Sequence, residues 1–336
     1  MATDYATAVR NGAMEAGRLH RRLDTRALVE TQAGSIDVFG VIQSIDLPLM
    51  LRPLKNLLGA YLTDPISGVL VTTERPLSVQ RFTAAHELGH FALGHEPSLD
   101  DESILRRLPN SPEPGGKFQE TEADAFAIAF MMPKWLILAH CARQGWQVSH
   151  LRQPHIVYQL SLRIGASYEA TYRTLVRYDL ISPQTMAMLQ ATEPRRCKVD
   201  LLKDYRPTDY KGDVWLLTER DADTRIDGTR KDLFVLRLKE HSGGGYLWDL
   251  DQLMASGFAV VRDVREPDDE EGIGGPVMRR VTAAPEAPQR GQVLIEERRP
   301  WQPHPPLANL TLDYDLTGPE EAGLSRAERR HRLEAA

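Results

Sequence analysis

The residues that most restrict what this chain can fold into are 86–90, His-Glu-Leu-Gly-His, at the centre of the run RFTAAHELGHFALGH (81–95). Helical positions i and i+4 lie one turn apart on one face, so His86 and His90 can offer imidazole nitrogens to a single metal ion. Glu87 then stands beside the ligands without being one, placed to act as general base on a water at that metal. Phe82, Ala84, Ala85, Leu88, Phe91, Ala92 and Leu93 make the rest of the run apolar, as a buried helix requires. Two histidines and a glutamate inside it are costly unless partnered. Two satisfied core histidines would fit the same spacing, but a zinc site is preferred because a third ligand is on offer downstream.

Catalytic zinc commonly takes three protein ligands. Gly94 and His95 do not fall at the spacings of the metzincin pattern, so the third ligand is sought elsewhere. Residues 120–133, ETEADAFAIAFMMP, read as a second apolar helix with acids in its first turns. Glu120 and Asp124 are one turn apart, so one can ligate while the other steadies a ligand histidine through its free N–H. Glu122 points elsewhere and reads as a solvated first-turn acid. Two histidines and one glutamate are the thermolysin-type ligand set.

These two helices, in this order, resemble the ImmA/IrrE family of bacterial zinc metallopeptidases over roughly residues 1–200. The resemblance rests on AHELGH followed by a helix of the form E-x-E-A-(D/N)-x-F-A that ends in Met-Pro. It implies zinc held by His86, His90 and Glu120, with Glu87 as the catalytic base and Asp124 as a carboxylate behind the ligands. It also implies a zincin-like domain, and a substrate that is a regulatory protein, typically a helix-turn-helix repressor cleaved in a stress or mobile-element response.

At 336 residues the chain is long enough for two domains. The net charge of −6, with charges interspersed, leaves no global basic footprint for nucleic acid. No apolar run of membrane-spanning length and no signal-peptide core are apparent, and Cys141 and Cys197 form no disulfide framework. A cytoplasmic protein without membrane association is expected.

The fold class expected is α+β. Residues 1–191 would form the metallopeptidase domain, with amphipathic helices over 2–30 and a short helix over 36–45. Three apolar runs, LPLMLRPL, LLGAYLT and GVLVTT, suggest a small antiparallel sheet. Gly59 to Leu62 would be its edge, able to align an extended peptide, unless the sheet only covers the motif helix. Ser78 is offered as the N-cap of that helix, and residues 96–119 as a surface loop bordering the cleft. Residues 147–191 have a helix-turn-helix rhythm and carry Arg163, Arg173 and Arg177, but without a basic cluster DNA binding is not expected. His140, His150 and His155 read as surface or core histidines.

Residues 192–212 read as a linker, and 319–336 as a tail that is either without order or a loose helix. Between them, over 213–318, the period changes to two. DLFVLRLKE, GFAVVRDV, PVMRRVTA, QVLIEER and LANLTLDYDL alternate apolar with polar residues between Gly- and Pro-rich turns, as in an all-β sandwich. The acidic run 267–271 reads as a solvated loop.

Three loops of this region, HSGGGYLW (241–248), GIGGP (272–276) and RRPW (298–301), resemble the chagasin family of immunoglobulin-like inhibitors of papain-type cysteine proteases. That family presents N-P-T-T-G-(Y/F)-x-W, G-x-G-G and R-P-W loops at one end of its sandwich. Gly245, Tyr246 and Trp248 match the first loop, Gly272, Gly274 and Gly275 the second, and Arg299, Pro300 and Trp301 the third. His241 to Gly244 replace Asn-Pro-Thr-Thr, so weak or no inhibition of papain is expected. The resemblance implies a protein partner, a peptidase or effector, held by Gly245, Tyr246, Trp248, Gly274, Gly275, Arg299 and Trp301. Otherwise the aromatics only pack the sandwich end.

Together these features imply a zinc endopeptidase whose sandwich recruits substrate or effector. The rival is a protein-binding module, or cysteine-protease inhibitor, on a sensory zinc scaffold. A transcription regulator built on 156–181 is a third reading.

Overall fold

The computed structural model describes residues 4–31, 33–100, 118–267, 275–302 and 305–334. Helix α1 (Tyr5–Leu23) starts on Asp4, whose carboxylate accepts from the Thr7 N–H, and stops at Asp24 in the left-handed region. Its buried face carries Ala8, Gly12 and Ala16 at i, i+4 spacing, small enough to let another helix close. Helices α2 (Thr25–Thr31) and α3 (Val38–Ser44) follow.

Strands β1 (Leu49–Arg52), β2 (Gly59–Leu62) and β3 (Gly68–Thr72) occupy the three apolar runs. The sheet is mixed, not antiparallel. The short connection pairs β2 with β3 antiparallel, and β1 lies against the other edge of β3 in parallel register, Leu49 opposite Val69. Helix α4 (Leu77–Leu93) packs on this sheet with every residue from Thr83 to His90 buried. A helix buried all round must be apolar all round, apart from groups that find partners. Its N-cap is Pro76, so Ser78 lies inside the helix and does not cap it. Strand β4 (Ser98–Asp100) pairs with β2. Gly59 to Leu62 is therefore an inner strand, not the expected edge. The remainder of the expected surface loop, 101–117, lies outside the described residues.

Helices α5 (Gln119–Met131) and α6 (Lys134–Gln144) are separated at Pro133. Contrary to the sequence expectation, the stretch Gln119–Gln144 is long and apolar enough to cross a membrane. Here most of it is buried within the protein: Phe126, Phe130, Leu136 and Ile137 are core residues. Helices α7 (Pro154–Arg163) and α8 (Tyr168–Arg177), joined through left-handed Gly165, form the helix–turn–helix pair. Arg163 is buried in an ion pair and Arg173 pairs with Glu169 one turn away, so neither stands as an open basic surface. Helices α9 (Pro183–Gln190) and α10 (Pro194–Leu202) continue the domain. Cys197, Leu201 and Leu202 are buried, so the first half of the expected linker is packed helix.

The C-terminal half has strands β5 (Val214–Leu217), β6 (Thr224–Asp227), β7 (Leu233–Glu240) and β8 (Leu247–Asp249), a short helix α11 (Asp251–Ala255), then β9 (Phe258–Pro267), β10 (Val277–Pro285), β11 (Arg290–Arg298) and β12 (Ala308–Asp315). They form two four-stranded sheets, ordered β5-β7-β10-β9 and β6-β12-β11-β8. Phe234, Leu236 and Val281 of the first share one core with Val293, Ile295, Leu310 and Leu312 of the second. The alternating runs are β7 and β9–β12, whereas β5, β6 and β8 are too short to show a period.

The last described residues, up to Glu334, are ordered. Strand β13 (Gly323–Leu324) pairs antiparallel with β1, completing the first sheet as β13-β1-β3-β2-β4, and helix α12 (Arg326–Glu334) follows. For the described residues the disordered alternative is overturned, and the helical one matches α12. Polarity suggested the former, but what holds the segment is hydrogen bonding. The Gln80 amide donates to the carbonyls of Thr72 and Glu320 and accepts from the Glu320 N–H, and Arg326 pairs with Glu320.

Candidate metal centre

Two helices build the site. Gly89 sets their approach: a Cβ there would lie 3.1 Å from the Phe126 ring and 3.2 Å from the Ala123 Cα. The missing side chain lets α5 close on α4 at this level without displacing Phe126 or Ala123, and the closeness brings the first turn of α5 over the two histidines. His86 Nε2 and His90 Nε2 are 3.0 Å apart, and the Glu120 oxygens lie 3.3 Å from the first and 3.7 Å from the second. Bonds of about 2.0–2.1 Å to a tetrahedral zinc put ligand atoms roughly 3.3 Å from one another. The chemistry of the donors and their separations therefore fit a zinc ion. Among the described residues, this is the group whose donor atoms all lie within 4.8 Å of one another.

Electrostatics favour the same use. Burial pushes the Glu120 carboxyl up, but hydrogen bonds from His86 and His90 and their charge outweigh it and hold the group well below the ordinary carboxylate range. An anionic carboxylate facing two imidazoles is what a divalent cation needs. Asp124 Oδ1 is 2.9 Å from His86 Nδ1, the ring nitrogen turned away from the cluster. Of the two acids one turn apart, Glu120 thus faces the histidine nitrogens and Asp124 orients one ring from behind.

Glu87 is fully buried where β2 crosses α4. A Cβ on Gly59 would fall 2.5 Å from Glu87 Oε1 and 2.5 Å from the Thr83 methyl, so the strand can cross here only as glycine. Tyr61 on the same strand lies parallel to His90, centroids 6.3 Å apart. Two residues were missed in the sequence. Glu122 is not a solvated acid: its carboxylate is 2.9 Å from His95 Nε2 and accepts from the Asn11 amide. His95, set aside with the metzincin pattern, lies with Nδ1 2.9 Å from His90 Nδ1. The available signal was Gly94, since a left-handed C-cap turns the next residue back onto the last turn.

At the sandwich end, the first and third loops meet. Gly245 is left-handed, and a Cβ on it would fall 2.8 Å from the Trp301 ring. Arg299 lies 4.5 Å over Tyr246 and donates to the Gly244 carbonyl, while Trp301 is 67% exposed. Trp248 corrects the expectation. It is 2% exposed, its indole N–H donates to the Lys239 carbonyl, and it belongs to the core. Gly272 and Gly274 lie outside the described residues, and Gly275 stands two residues before β10.

The chain thus joins a metallopeptidase-like domain to a protein-binding or inhibitor-like domain. Residues 45–176 match the family model of the IrrE N-terminal-like domain (Peptidase M78), and residues 229–316 match that of the chagasin family peptidase inhibitor I42. Among solved structures, the chain is similar to the cysteine protease inhibitor EhICP2 from Entamoeba histolytica, at 19% identity over 32% of this chain and 98% of that one, TM-score 0.27. It is also similar to Amebosin, at 20% identity over 31% of this chain and 96% of that one, TM-score 0.26. No curated protein matches it.

Proposed function

We propose that the chain is a zinc-dependent endopeptidase that cleaves a regulatory protein, in which His86, His90 and Glu120 hold the metal and Glu87 is the general base. The observation that carries this reading is the convergence of three metal donors with Glu87 on the same turn, in a region that matches a peptidase family. A bound zinc supplies Lewis acidity and a nucleophile at neutral pH. Glu87 takes a proton from the attacking water as its oxygen bonds to the scissile carbonyl carbon, then gives it to the amine nitrogen as the C–N bond breaks. Asp124 holds the His86 ring so that Nε2 faces the cluster. A helix-turn-helix repressor is the substrate we infer, from the likeness of the two helices to the ImmA/IrrE pattern.

Elemental analysis of the purified protein tests the metal. About one zinc per chain is expected, and Glu120→Ala should strip it. Full zinc retention in that variant would remove Glu120 from the ligand set.

The sandwich we infer to be a recruiting module. Its docked end presents Asp221 and Asp227 to Arg163 and Arg81 of the helical domain. The loop tip is at the other end: Glu297, one residue from the tip strand's end, pairs with Ala308, and β12 runs from there to Asp315 beside the docked end. An eight-residue strand spans roughly 25 Å, so the tip stands about that far from the contacts at the docked end. Exposed Trp301, with Tyr246 stacked on Arg299, supplies the aromatic and arginine anchors typical of interface hot spots. A Trp301→Ala, Tyr246→Ala double variant should bind the repressor more weakly by about 2 kcal/mol or more with zinc content and melting unchanged. Unaltered binding would sink the recruiting role. Tight inhibition of papain by the unaltered protein would favour an inhibitor instead.

A further inference from the structure

We propose that His95, Glu122 and Asn11 form a relay of fixed proton direction that orients His90 for metal binding, making all three positioning residues of the centre; the inference rests on the zinc reading above. Helix α4 ends at Gly94, whose left-handed backbone (φ 67) reverses the chain, and the His95 N–H donates to the His90 carbonyl. The reversal brings the His95 ring against the His90 ring, Nδ1 to Nδ1 at 2.9 Å, with ring planes 69° apart. His95 Nε2 is 2.9 Å from Glu122 Oε2, and the Asn11 amide donates to Glu122 Oε1, also at 2.9 Å.

Chemistry sets the direction of each link. A histidine that ligates through Nε2 carries its proton on Nδ1. His90 Nδ1 must then donate, so His95 Nδ1 must accept and carry no proton. A neutral His95 carries its single proton on Nε2, facing a carboxylate oxygen that can only accept. Asn11 closes the chain by donating to the remaining oxygen. The opposite assignment puts the His90 proton on Nε2, pointing it into the donor cluster, and turns a protonated His95 Nδ1 toward His90. His95 is thereby also excluded as a ligand, because the His90 ring stands between its nitrogens and the cluster.

The two ligand histidines are thus steadied by different means. His86 meets Asp124 directly, at 2.9 Å, whereas His90 meets Glu122 through an intervening imidazole. The longer path ties the centre to α1. At Gly12, beside Asn11, a Cβ would fall 2.1 Å from the Glu122 carbonyl oxygen, so this glycine lets α1 lie close enough for Asn11 to reach Glu122. Groups behind metal ligands fix ring orientation and raise ligand basicity, and their loss commonly costs about 10–100-fold in metal affinity.

The test is chelator competition for zinc on the full-length protein, alongside nitrogen-15 imidazole spectra of the zinc-loaded form. His95→Phe, which keeps a ring but no polar atom, should weaken zinc binding by about tenfold or more. His95→Gln should recover most of the loss, since its carbonyl can accept from His90 and its amide donate to Glu122. The spectra should show His90 protonated at Nδ1 and His95 at Nε2. Equal affinity in the Phe variant, equal losses in both variants, or a proton on His95 Nδ1 would each overturn the relay. An unaltered protein that fails to bind zinc would instead overturn the metal reading, and the relay with it.

Discussion

Glu87→Gln should retain zinc and fold yet lose cleavage of the cognate repressor by about 10²–10⁴-fold, the usual worth of a positioned base. The amide has nearly the shape of the carboxylate, so the crossing of β2 over α4 at Gly59 survives the change. What disappears is the basic oxygen that takes the proton from water. Zinc content by elemental analysis and thermal melting should match the unaltered protein, which separates loss of chemistry from loss of structure. The assay requires the cognate protein, because a selective cleft ignores generic substrates. Cleavage at the original rate would remove Glu87 from the mechanism and point to a contaminating protease.

Asp221→Ala should destabilise the protein by about 3–5 kcal/mol, because it leaves the Arg163 guanidinium buried without its counter-ion. The pair joins the two halves of the chain: Arg163 ends α7, and Asp221 lies between β5 and β6. Both side chains are 1% exposed, with Nη2 2.8 Å from Oδ1. The same carboxylate accepts from the Gln144 amide and from the Thr218 N–H, so alanine also removes an acceptor from two further donors. A total stability of about 5–15 kcal/mol makes such a loss severe, read as a large fall in the urea midpoint. The Arg163→Met, Asp221→Leu double variant should recover much of it, since replacing both members of a buried pair with apolar groups of similar volume is commonly neutral. A fall below about 1 kcal/mol in the single variant would show that water reaches the guanidinium.

The features legible in the sequence were those written in local periodicity. His86 and His90 share a face because four residues make one turn, and Glu120 and Asp124 follow the same rule. Strands β7 and β9–β12 are long enough for alternation to show. What stayed hidden depends on which distant segment covers which face. Glu122 does point away from Glu120, as helical geometry requires, but nothing local tells that α1 covers that side, and Gly94 signals only that His95 turns back, not that it meets Glu122. The parallel placement of β1 beside β3, the covering of β2 by β4 and the role of Trp248 as core are choices of the same kind. The order of the polar tail depends on Gln80, more than two hundred residues earlier, a partner that composition does not reveal.

That closing contact has a consequence in time. Leu51 and Gly323 are partners in one ladder, yet roughly 270 residues must be synthesised between them, which at about 5–20 residues per second takes roughly 15–55 s. Throughout this interval the outer edge of β1 is without its partner strand, and the Gln80 amide lacks the Glu320 carbonyl and N–H. The sandwich, whose eight strands lie wholly within that interval, leaves the ribosome before the first sheet can be finished. The sheet beside the donor cluster is thus the last part of the protein to close, and a chain cut short before residue 323 would expose a strand edge open to pairing with its neighbours.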